Sequence, residues 1–163
     1  ELLTWKLPNG TTPSSEHHHR HRDHLTDAFR HGFLLHSLRL LDRYSTPSSP
    51  RVQHHVNAIL DAAARLPARS PLARRLLWPM FVAGTEAAAA HQHDYISIRA
   101  DEIRADTGFR NLASAAILGR VWKERGRGTG RDSEEDEPSR RIWSWSYHVS
   151  FIAALFSFVK DKK

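Results

Sequence analysis

With 163 residues, 40% of them hydrophobic, the chain is the size of one domain and can bury a core, which excludes a wholly disordered polypeptide. It contains no cysteine, so disulfides, thiolate metal sites and a cysteine nucleophile are excluded, and a reducing compartment fits best. The net charge of +6 comes from 24 Lys and Arg against 18 Asp and Glu, with 12 histidines besides, and its dispersal along the sequence reads as a solvated surface rather than a phosphate track.

The chain opens at Glu1 without a basic start, an apolar centre and a small-residue cleavage site, so no signal peptide is read, and the sequence is expected to be part of something longer. Residues 1–22 are expected to form a flexible polar lead-in, because PNGTTPSSEHHHRHRDH (8–24) is polar and carries Pro, Gly and Ser. From 23 the pattern changes. Leu25, Ala28, Phe29, Leu34, Leu38 and Leu41 recur at helical spacing and predict a first helix over 23–44. STPSSP (45–50) ends it. A second helix is expected over 51–66, with Val52, Val56, Ile59, Leu60 and Ala63 on its apolar face.

Ser70 followed by Pro71 reads as an N-cap and first helical position, opening a third helix over 71–90. That segment is apolar around nearly its whole circumference, at Leu72, Leu76, Trp78, Pro79, Val82 and Ala83, so it is expected to be buried on all sides. Pro79 in its middle predicts a kink. Gly84 permits close helix approach, and Glu86, a charge near a buried region, is expected to meet an arginine such as Arg110. A fourth helix over 92–106 follows from Ile96, Ala100 and Ile103, and a fifth over 112–125 from Leu118, Val121 and Trp122, with Asn111 as its cap.

The expected helical domain therefore covers 23–125. A charged flexible linker is expected over 126–141. Residues 142–160 are expected to form a C-terminal apolar helix packed on the domain, a reading preferred over a membrane anchor because four serines and His148 lower its hydrophobicity. The fold class is all-α, with about six helices in antiparallel pairs around a buried central helix.

Candidate chemistry is sparse. His17, His18, His19, His21 and His24, with His31 and His36 beyond, are potential ligands for zinc, copper or nickel, but adjacent histidines on a loop do not converge on one ion, so the run reads as solvated. His91, His93, Asp94 and Glu86 match no zinc-site spacing and read as caps and loop polarity. There is no GxSxG, no phosphate loop and no GxGxxG; GRGTG (126–130) follows a helix rather than a strand. Arg99, Arg104 and Arg110 alternate with Asp101, Glu102 and Asp106, which reads as a salt-bridged solvent face.

LLWPMFVAGTEA (76–87) resembles the signature of the fungal-specific transcription factor domain, which follows a zinc binuclear cluster in fungal regulators and carries a run of the form L-L-W-P-L-F-I-A-G-x-E-A. AFRHGFLLHSLRLL (28–41) resembles the helix preceding that run in the family, and TGFRNLASAAILGRVWKER (107–125) resembles its G-x-x-N segment and following helix. Order and spacing agree over 28–125. The cysteine-rich cluster is absent, and RIWSWSYHVSFIAALFSF (141–158) departs from the family's D-W-x-x-V-M-x-E-x-G segment.

The resemblance implies a nuclear, α-helical, non-enzymatic regulatory domain that modulates transcription. Its signature residues are Trp78, Pro79, Phe81, Gly84, Glu86, Arg110, Asn111 and Trp122, in structural roles. No cofactor, metal or catalytic residue is expected. The implied partners are other transcription-regulatory proteins, with homodimerisation left open; DNA is engaged only indirectly, through the missing cluster, and no membrane is expected. Two rivals remain open at this point: a metal-dependent enzyme using the histidine-rich start, and a basic nucleic-acid-binding module.

Overall fold

The structure is a computed structural model that describes residues 13–42, 45–107 and 112–128, with side chains over 19–42, 45–105 and 115–126. Among these residues there are five α-helices and no strand: α1 (Pro13–Leu41), α2 (Pro50–Arg65), α3 (Leu77–Glu86), α4 (Ala90–Thr107) and α5 (Leu112–Gly128), with a 3-10 turn, Ala73–Leu76, leading into α3. The fold is all-α. The apolar segment expected as a sixth helix over 142–160 lies outside the described residues, as do Arg110 and Asn111.

Helix α1 begins at Pro13, ten residues before its apolar pattern starts. Proline suits the first turn because its missing N–H has no intrahelical acceptor there. The polar run that follows carries no hydrophobic period, so its helicity is invisible to pattern reading. The buried face of α1 is Leu25, Ala28, Gly32 and Leu35. Leu34 and Leu41, expected on that face, are exposed, and Leu35 takes the buried position instead.

The loop to α2 is closed by Ser49 N donating to the Thr46 carbonyl at 3.0 Å and Ser45 N donating to Asp42 Oδ1 at 3.1 Å. Pro50 then occupies the first turn of α2. Leu35 and Leu38 share a cluster with Val52 and Val56, whereas Leu25 and Ala28 share one with Ala62, Ala63 and Leu66. The two helices therefore run antiparallel. The carboxyl end of α2 is capped by Arg99 of α4, whose Nη2 donates to the carbonyls of Ala63, at 3.3 Å, and Leu66. Arg99 is thus buried, not on a solvent face; its other nitrogen, Nη1, pairs with Glu102 at 2.7 Å. Capping by a cation also complements the negative end of the dipole.

The expected 71–90 helix is divided. Ser70 does cap, but it caps a turn: its Oγ accepts from Leu72 N at 3.3 Å and its carbonyl from Ala73 N at 2.9 Å. The α-helix starts only at Leu77 and ends at Glu86. Pro79 accordingly lies in the first turn, where it displaces no hydrogen bond, and the expected mid-helix kink is not needed. From Pro79 to Ala87 every residue is buried. Helix α3 is the centre around which the others pack; Gly84 lets α5 come close, since a Cβ there would lie 2.9 Å from Leu118 Cδ1 and Cδ2 of α5.

Candidate functional site

Of the signature residues, the structure describes Trp122, on α5, and Trp78, Pro79, Phe81, Gly84 and Glu86, all on α3. At its start, Trp78 is half-buried in a bed of aromatics from α1. Its ring stacks on Phe29 at a centroid distance of 5.5 Å and meets Phe33 at 4.7 Å. Gly32 lies beneath it: a Cβ there would be 2.8 Å from Trp78 Cζ3, so the indole fits only because the side chain is absent. Pro79 and Phe81 are buried behind it.

At the other end, the last carbonyls of α3 lack intrahelical partners and are buried, so side chains must satisfy them. Four side chains from three helices supply these. Trp122 Nε1 of α5 donates to the Gly84 carbonyl at 2.9 Å. Gln53 Nε2 of α2 donates to the Glu86 carbonyl at 3.0 Å. His93 of α4, donating from Nε2, reaches the Ala87 carbonyl at 3.0 Å and stacks on Trp122 with centroids 4.2 Å apart. Arg125 of α5 reaches the same carbonyl at 3.5 Å.

The Glu86 side chain, 1% exposed, meets Arg39 from the last turn of α1 and, at 3.7 Å, Arg125. Burial depresses the Arg125 pKa below its ordinary value; Glu86 acts in the opposite direction and Arg39 adds to the depression. Two cations face one carboxylate here, and the negative end of the α3 dipole offsets part of the excess.

Gln92 completes the arrangement. Its Oε1 accepts from the backbone N–H of Ala88, at 3.0 Å, and Ala89, at 3.1 Å, capping the start of α4, while Nε2 donates to Gln53 at 2.8 Å and Asn57 at 2.9 Å. The chemistry of this hub is tethering. It binds α1, α2, α4 and α5 to one helix end through groups already engaged with one another.

Of the discarded zinc set, Glu86 and His93 belong to this hub with arginine and tryptophan neighbours, not to a shared ion. A different histidine group does converge. His31 of α1 lies against His54 and His55 of α2, with their ligand atoms all within 4.8 Å of one another. Sequence reading considered His31 but missed His54 and His55. The available signal was the helical hairpin itself, which lays α1 against α2. Burial, followed by the neighbouring His54 for His31 and by His31 for His55, holds the pKa of both below the ordinary histidine value. On α4 Arg104 pairs with Asp101 at 3.0 Å, and on α5 Arg120 pairs with Glu124 at 4.0 Å.

Among the described residues no helix is long and apolar enough to cross a membrane. A family model described as "Fungal specific transcription factor domain" matches residues 1–152. No curated protein and no solved structure matches the chain.

Proposed function

Because the chain belongs to the fungal specific transcription factor domain family, we propose that it is a non-enzymatic regulatory domain that modulates transcription by contacting other regulatory proteins in the nucleus. The observation that carries this reading is the family match over residues 1–152, which suggests a transcription-regulatory role. The family is one of transcription factors, not of enzymes.

Two structural features support the finer reading. The polar groups around Glu86 tie helices together instead of opening onto a substrate. On α1, Phe33, Leu34, Leu40 and Leu41 remain exposed, with Leu41 at 87%, and large apolar side chains at a surface suit protein contact. The paired arginines of α4 and α5 argue against a direct nucleic-acid track. DNA would be engaged through a cysteine-rich cluster that this sequence does not contain.

The test joins the intact chain to a heterologous DNA-binding module and reads a reporter. The expected result is that the chain changes reporter output and that Leu34→Glu with Leu41→Glu reverses the change, while abundance and helical circular dichroism stay constant. A reporter indifferent to the chain overturns the regulatory reading. A response that persists in the double variant removes α1 as the contact surface.

A further inference from the structure

We propose that His31, His54 and His55 form a binding site for a divalent transition-metal ion, Zn2+ foremost, which clasps α1 to α2. The inference does not rest on the transcriptional reading.

The three imidazoles surround a common point. Their centroids are 5.2, 5.3 and 5.8 Å apart, so the point equidistant from them lies about 3.1 Å from each ring, and a Zn2+ held at about 2.0–2.1 Å from an imidazole nitrogen sits about 3.2 Å from that ring's centroid. His31 Nδ1 and His55 Nδ1 are already 3.0 Å apart, close to the separation of about 2.9–3.4 Å that two nitrogen ligands adopt at angles between square and tetrahedral around such an ion. Without metal this pair is a hydrogen bond, one ring donating and one accepting. His54 is exposed, so a rotamer change brings its nitrogen inward at little packing cost.

Ligand chemistry narrows the ion. Three neutral imidazoles suit zinc, copper or nickel and disfavour calcium or magnesium, which take oxygen ligands. Arg30 and Arg51 near the site repel a cation, and Asp27 attracts one. Exposure at His54 leaves a fourth position open to water. Because the ligands come from both arms of the hairpin, the ion binds the folded arrangement and stabilises it by mass action.

The test uses the whole chain, freed of any affinity tag and stripped with chelator, titrated with Zn2+ by calorimetry while thermal unfolding is followed in parallel. The expected result is a first equivalent of one Zn2+ per chain that raises the unfolding temperature. His54→Gln, at an exposed position, keeps the fold but binds about tenfold or more weakly, and His55→Gln more weakly still. Copper-loaded protein should show three nitrogen ligands by electron paramagnetic resonance, and two in His54→Gln. A variant with His17, His18, His19, His21 and His24 all changed to Gln should keep the first equivalent. The proposal is overturned if no stoichiometric binding occurs, if His54→Gln retains full affinity and three nitrogens, or if the lead-in variant loses the first equivalent.

Discussion

The two ends of α3 are held in different ways. At Trp78 the contact is one of shape: an indole laid over Gly32 between Phe29 and Phe33, with no hydrogen-bonded partner required. At Glu86 it is one of polarity: a buried carboxylate with Arg39 and Arg125, and helix-end carbonyls answered by Gln53, His93 and Trp122. Shape complementarity degrades gradually when an atom is removed. A buried polar network does not, since each missing partner strands another group away from water. The polar end should therefore be the more sensitive to single substitutions and the aromatic end the more tolerant.

The largest expected effect is Glu86→Ala. It leaves Arg39, 12% exposed, and the partly buried Arg125 facing each other without a counter-charge, at a cost of about 3–5 kcal/mol. Urea denaturation should show the midpoint falling at nearly constant slope. Pairing Glu86→Leu with Arg39→Met should recover part of the loss, since replacing an ion pair by packed apolar groups is often close to neutral. A double variant no better than Glu86→Ala would show that the carboxylate acts by something other than matching arginine charge.

Trp78→Ala should come next, at about 2–3 kcal/mol, below the range for a fully buried tryptophan because this one is half-exposed. Trp78 and Glu86 are eight residues apart on one helix, about 12 Å. Their effects should add to within about 0.5 kcal/mol if the two ends are independent. A larger coupling energy in that double-mutant cycle would dissolve the distinction between them.

Gly32→Ala sharpens the shape argument further. The new methyl would lie 2.8 Å from an indole carbon pinned by two phenyl rings, costing about 1–2 kcal/mol after the better helix propensity of alanine is allowed for. With Trp78→Ala already present the clash vanishes, and the same substitution should become neutral or stabilising. A Gly32→Ala penalty that is the same in both backgrounds would place its cause elsewhere than beneath the ring.

The contrast also explains what could be read in advance. Helices α2, α4 and α5 were legible because each buries apolar residues at helical spacing, such as Val52, Val56 and Ile59, or Ile96 and Ile103. The segment around α3 was legible as buried but not as divided. Apolarity all round carries no phase, so it could not show that the α-helix starts at Leu77 and puts Pro79 in its first turn. The start of α1 escaped because a polar helix has no period to detect. At the polar end, the need of Glu86 for arginine followed from the cost of burying a charge, but which arginine did not. Arg39 and Arg125 lie 47 and 39 residues away in sequence, and only the packing of α1 and α5 on one helix end selects them. His54 and His55 escaped for the same reason, as convergence with His31 needs the register of the hairpin.

The smallest predicted effect tests whether the polar end contains a shape component of its own. Trp122 touches the hub twice, through Nε1 on the Gly84 carbonyl and through its face on His93. Trp122→Phe keeps an aromatic surface for the imidazole and deletes the donor, so it should cost about 1 kcal/mol for one lost hydrogen bond, with some relief if water reaches the freed carbonyl past the half-buried ring. Trp122→Leu deletes both and should cost more, by the value of the ring pair, about 0.5–1.5 kcal/mol. Comparing the two by denaturation separates the contributions. If the phenylalanine and leucine variants are equally unstable, the His93 stack adds nothing, and the end of α3 is held by polar contacts alone. If the phenylalanine variant matches the parent, the helix-end carbonyl has found water, and Trp122 serves this end as Trp78 serves the other, by filling space.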